Sequence, residues 1–138
     1  MKYKAIALDL DGTLTDHNKK LPAKNIEAVD KAIDMGVKVI LASGRPLFGI
    51  TPIADELKLS DKGGYILAYN GGKIVDCVTG ETIVSHQLPK ECIDDICDFA
   101  KANDVYALTY SDGKIVSESD TDAVSYTHLR AHETKANL

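Results

Sequence analysis

The sequence predicts an α/β protein built on a parallel sheet. Three observations carry this. Short apolar runs at residues 4–10, 37–42 and 65–69 have strand length and lack polar alternation, as in strands covered by helices. A helical pattern over residues 22–35 separates the first two runs, giving strand–helix–strand in under forty residues, a βαβ unit. Turn signals (Asp11-Gly12, Gly36 and Asn70-Gly71-Gly72) punctuate the runs.

Taken in order, residues 4–10 read as a first strand buried on both faces. In the helix over 22–35, Pro22 suits the first helical position, Ile26, Val29 and Ile33 share a face, and Gly36 suits the C-terminal cap. Residues 37–42 read as a second buried strand. A second helix is predicted over 46–58, with Pro52 imposing a kink or a late start. Residues 65–69 form a third strand. The grammar then changes to hairpin, helix and hairpin: runs at 73–78 and 82–87, a helix over 89–102 with a stripe of Ile93, Ile96, Cys97 and Ala100, and runs at 105–110 and 114–118 around Ser111-Asp112-Gly113. This predicts a first module over 1–81 and the start of a second over 82–123. Residues 124–138 read like the translation of a transposon-type sequencing adapter, so the natural reading is expected to end near Ala123.

Composition narrows the function classes. The 138 residues (14.9 kDa) are 44% hydrophobic and 27% charged, ordinary for a globular chain with a real core. A net charge of −5 argues against nucleic-acid binding. No apolar run reaches membrane-span length and no signal segment leads the chain, so no membrane partner is expected. Cys77, Cys92 and Cys97 are an odd set without a Cys-x-x-Cys pair, which fits a reducing cytoplasmic setting.

The chemistry concentrates at strand ends. Asp9-Leu10-Asp11-Gly12-Thr13 places two carboxylates at the carboxyl end of the first strand, where open α/β sheets bind ligands. One carboxylate suits a nucleophile and the other a general acid and then base. An anionic nucleophile attacking a phosphate dianion calls for a hard cation such as Mg²⁺. Ser43-Gly44-Arg45-Pro46 follows the second strand. There a hydroxyl, a glycine amide and a helix N-terminus form an oxyanion cradle, and Arg45 either clamps a substrate oxygen or makes a salt bridge. Asn70 closes the third strand at the same sheet end, either as a turn residue or facing substrate. His17 and His86 have no ligand-spaced partners, and the cysteines read as packing residues.

Asp9-x-Asp11-Gly12-Thr13, Ser43-Gly44-Arg45-Pro46 and Tyr69-Asn70-Gly71, in this order, resemble the haloacid dehalogenase superfamily and its Cof-type branch of sugar-phosphate phosphatases. The resemblance covers roughly residues 1–120. It implies a Rossmann-like core with an inserted α/β cap. Asp9 would be the nucleophile and a Mg²⁺ ligand. Asp11 would be the acid/base and would offer its carbonyl to the metal. Leu10, Gly12, Thr13, Ser43, Gly44, Arg45 and Asn70 would contact phosphate or substrate, a small phosphorylated metabolite. The family's later lysine and its Gly-Asp-x-x-Asn-Asp acidic motif have no match here. The expectation is therefore an N-terminal part of a phosphatase, with an incomplete core and little or no activity of its own. A phosphomutase or phosphotransferase of the same superfamily, a receiver-like phospho-acceptor and a non-catalytic binding fragment are the alternatives.

Overall fold

The computed structural model describes residues 3–111 and 114–117. The predicted turn at Asp112-Gly113 and the adapter-like tail lie outside them. Two compact units divide the chain, Met1–His86 and Gln87–Leu138.

The first unit holds a five-stranded mixed sheet in the order β1-β2-β3-β4-β5. Its strands are β1 (Ala5–Leu8), β2 (Lys38–Ala42), β3 (Tyr65–Ala68), β4 (Lys73–Asp76) and β5 (Thr82–Ser85). β1, β2 and β3 run parallel, with Leu8 opposite Leu41 and Ala42 opposite Leu67. β4 and β5 continue the sheet antiparallel. The α/β class is as the sequence predicts. The module boundary differs: β5 pairs with β4, and so belongs to the first unit rather than opening the second.

Helix α1 (Ala23–Asp34) crosses from β1 to β2, while α2 (Leu47–Glu56) and α3 (Leu59–Lys62) cross from β2 to β3. Pro22 stands one residue earlier than predicted, as the N-cap of α1, and its carbonyl accepts from the Asn25 and Ile26 N–H groups. α1 ends in a Schellman turn. The Gly36 N–H donates to the Ile33 carbonyl and the Val37 N–H to the Ala32 carbonyl, and Gly36 takes φ +81°. α2 begins directly after Pro46 and runs through Pro52, so the late start is not seen. Pro52 has no N–H to continue the helical ladder at that step. The Thr51 hydroxyl bonds the Leu47 carbonyl in the same turn.

One face of the sheet makes the core. Val39 and Leu41 of β2 and Ile66 and Ala68 of β3 are buried there with Val29 of α1, Ile50, Ile53 and Ala54 of α2, and Leu57 and Leu59. The other face (Ile40, Ala42, Tyr65, Leu67) is half-covered, so β2 is not buried on both sides as expected. β1 departs further. Its first three residues are exposed, with Ile6 at 41%, because among the described residues β1 is an edge strand with β2 as its single neighbour. An apolar run of this length looks the same at an edge as at a centre.

In the second unit, α4 spans Cys92–Ala102, and β6 (Leu108–Ser111) pairs antiparallel with β7 (Lys114–Ser117). Residues 105–107 precede the strand rather than form part of it. Of the predicted stripe on α4 only Ala100 is buried; Ile93 and Ile96 are 50% and 42% exposed.

Candidate active site

Three turns at the carboxyl ends of β1, β2 and β3 build the site. The first runs from Asp9 to Thr15. It is pinned by side chains that point into the core, with Leu10, Leu14 and Thr15 buried. The Leu10 carbonyl accepts from the Thr15 N–H at 2.8 Å and the Thr15 hydroxyl at 2.9 Å, and the Asp9 carbonyl accepts from the Leu14 N–H at 3.1 Å. From α1, the Asn25 amide holds the Leu14 carbonyl at 2.8 Å. With its apolar members anchored, the turn leaves Asp9, Gly12 and Thr13 exposed. Gly12 takes φ +75°, open to glycine at no steric cost, and this reverses the chain between the two acids and the anchor.

The second turn is Ser43-Gly44-Arg45-Pro46. The Ser43 N–H extends the ladder to the Leu67 carbonyl at 3.0 Å, and the buried Ser43 hydroxyl accepts from the Arg45 N–H at 3.2 Å. That leaves the hydroxyl proton available to donate. Gly44 is exposed. The third turn is Tyr69-Asn70-Gly71, where Tyr69 and Asn70 both take φ +54°. Two successive non-glycine residues in the left-handed region are a strained arrangement, held here by neighbours. The Tyr69 N–H donates to the Arg45 carbonyl at 3.0 Å and the Asn70 N–H to the Ser43 carbonyl at 3.2 Å. The Asn70 side chain lies so close over Gly44 that a Cβ there would stand 3.0 Å from its Oδ1.

The two acids sit in different environments. The Asp9 carboxylate is exposed and has no hydrogen-bond or ion-pair partner among the described residues. Asp11 is gripped. Arg45 Nε donates to Asp11 Oδ2 at 3.0 Å, Arg45 Nη2 pairs with Asp11 Oδ1, and both side chains are about 85% buried, at 14% and 15% exposure. Of the two roles open to Arg45 in the sequence, the salt bridge is the one present.

The residues singled out in the sequence thus collect at one sheet end: Asp11 is tied to Arg45, and Ser43, Gly44 and Arg45 are tied to Asn70 and Tyr69. Asp9 joins them by register, one step past the Leu8–Leu41 rung. Thr15 and Tyr69 are contributors the sequence reading did not single out as site residues. A tyrosine carries no signal for positive φ, and Thr15 acts through a carbonyl five residues back. His17 pairs with the Asn18 amide in an exposed turn, and His86 lies beyond β5, so neither enters the site. In the exposed turn that holds His17, Asp16 is kept below its ordinary pKa, mainly by the Lys20 N–H and also by that of Asn18.

For a hard cation, the Asp9 carboxylate and the Asp11 carbonyl are oxygen donors of the right kind. Among the described residues, no group of three or more Asp, Glu, His or Cys gathers to complete a metal centre. Mg²⁺ takes about six oxygens in near-octahedral geometry, so these two are part of a site and not a whole one.

A family model for haloacid dehalogenase-like hydrolases matches residues 6–137. The chain belongs to this family. The motifs and the mostly parallel sheet agree with its Cof-type members. The chain is 34% identical over 127 residues to the 5-amino-6-(5-phospho-D-ribitylamino)uracil phosphatase YwtE of Bacillus subtilis, covering 91% of the chain and 42% of that protein. It is 29% identical over 132 residues to the pyridoxal phosphate phosphatase YbhA of Escherichia coli, covering 92% and 46%. A solved haloacid dehalogenase-like hydrolase from Bacteroides thetaiotaomicron superposes with a TM-score of 0.78 at 40% identity, covering 91% of this chain and 47% of that one. The chain therefore spans less than half the length of each of these relatives.

Proposed function

We propose that the protein to which this chain belongs is a phosphatase of small phosphorylated metabolites, sugar phosphates among them, working through an aspartyl-phosphate. The single observation that carries the reading is the contrast between the acids: a free, exposed carboxylate on Asp9 beside a buried, oriented one on Asp11. Relatives named as phosphatases of phosphate monoesters support it.

In this mechanism an Asp9 oxygen attacks phosphorus and the bond to the leaving oxygen breaks. Asp11, which enters this step protonated, gives that oxygen its proton. Asp11 then takes a proton from water, whose oxygen attacks phosphorus. The bond to Asp9 breaks, phosphate leaves and the carboxylate is restored. The Ser43 hydroxyl and Gly44 N–H donate to the phosphoryl oxygens, and the Asn70 side chain lies over that cradle. Leu10 and Gly12 offer backbone N–H groups from the first turn, and Thr13, whose N–H donates to the Leu10 carbonyl at 3.3 Å, offers its exposed hydroxyl. Mg²⁺, with Asp9 and the Asp11 carbonyl among its ligands, would neutralise charge between nucleophile and phosphate. We place the protein in the cytoplasm, a setting that suits three free thiols. The 138-residue chain itself, with two of about six metal ligands, should bind Mg²⁺ weakly and turn over little.

The test measures phosphate release from p-nitrophenyl phosphate and hexose phosphates, with and without Mg²⁺, by the full gene product to which this chain belongs and by the 138-residue chain. Release by the gene product that Asp9→Asn abolishes is expected. A gene product whose release ignores Asp9→Asn would sink the reading, and an isomeric sugar phosphate in place of free phosphate would make the protein a mutase.

A further inference from the structure

We propose that Arg45 serves the reaction through Asp11, as a positioning residue for the acid, and does not grip the substrate's phosphate. This rests on the phosphatase reading above. Three observations carry it.

First, the guanidinium is already committed. Its Nε and Nη2 hold both oxygens of one carboxylate, and its Nη1 donates to the Gly49 carbonyl of α2 at 3.3 Å. A planar fork held at three nitrogens fixes the orientation of its partner, which a single point charge does not. Second, the base of the fork is fixed by the other two turns. The Arg45 N–H is held by Ser43 Oγ and its carbonyl by the Tyr69 N–H. The strained third turn therefore supports the backbone from which Arg45 reaches Asp11. Third, Asp11 needs an external hold. It precedes Gly12 at φ +75°, in a turn whose buried anchors are Leu10, Leu14 and Thr15 and not Asp11 itself. Proton transfer to a leaving oxygen demands a carboxylate held within hydrogen-bond reach, and displacements of about 1 Å lose large factors in rate. Asp9, which attacks rather than shuttles a proton, has no such clamp.

The test is kinetic, on the full gene product. A p-nitrophenolate leaves without needing a proton, whereas a sugar alkoxide does not. Arg45→Ala should lower kcat/KM about 10²-fold on a hexose phosphate and by less than about 5-fold on p-nitrophenyl phosphate, the pattern of a misplaced general acid. In an Asp11→Asn background, Arg45→Ala should change kcat/KM for p-nitrophenyl phosphate by less than about 3-fold, since the two residues act as one unit. Arg45→Lys should fall between wild type and Arg45→Ala on the hexose phosphate, and it carries the test if Arg45→Ala does not fold. Equal losses on both esters, or an undiminished loss in the Asp11→Asn background, would show that Arg45 grips the substrate and overturn the inference. No Asp9-dependent turnover by wild type would overturn the phosphatase reading and this inference with it. Turnover with undiminished Arg45 losses would remove the inference alone.

Discussion

At Gly44 the space for a side chain is taken by the Asn70 amide. Gly44→Ala forces that amide to rotate away, and we expect about 1 kcal/mol of lost stability in urea unfolding. Asn70→Ala in the same chain should recover most of it; independent, additive losses would show that the contact is not the cause. A second residue-scale expectation concerns Cys77. Burial, with help from the Asp76 and Asp55 carboxylates, pushes its thiol up to about 11. The folded state therefore favours the protonated thiol. That stabilisation is complete below the thiol's unfolded pKa and is lost as pH climbs from there to about 11. Unfolding midpoints should fall across that window in wild type and less so in Cys77→Ala. Asp9, Asp11, Ser43 and Asn70 were legible because motif and strand end coincide. The Asp11–Arg45 pair was half legible, since spacing along the chain could not say which anion the arginine would meet across 34 residues.

Elements were legible where local chemistry alone decides them. α1 ends where Gly36 says it must, because φ +81° and the two Schellman bonds suit a glycine. Gly36→Ala should cost about 1 kcal/mol or somewhat more, read as a lower denaturant midpoint at unchanged slope. An unchanged midpoint would mean that the turn relaxes to negative φ. The start of α2 shows the opposite case. Pro52 argues locally for a late start, yet the apolar contacts of Ile50, Ile53 and Ala54 hold the helix through it. The exposure of β1 was beyond reach, because Ala-Ile-Ala-Leu does not record how many neighbours its strand has.

For the whole molecule that missing neighbour matters most. Among the described residues β1 presents a free edge, and Ile6 and Leu8 line an apolar groove with Ala28, Val29 and Ala32 of α1. Exposed apolar edges pair with whatever strand they meet. The isolated chain should therefore associate as its concentration rises, seen as a growing mass in light scattering, and Ile6→Lys should suppress this. Identical mass profiles for both would place the sticky surface elsewhere.

β1, an edge strand among the described residues, is also the one from whose end Asp9 emerges. Fraying of that edge and blurring of the nucleophile's position are then one and the same motion. Amide protons along β1 should exchange with solvent sooner than those of β2. Whatever seats itself along the open side of β1 would steady the carboxylate from behind, without touching it.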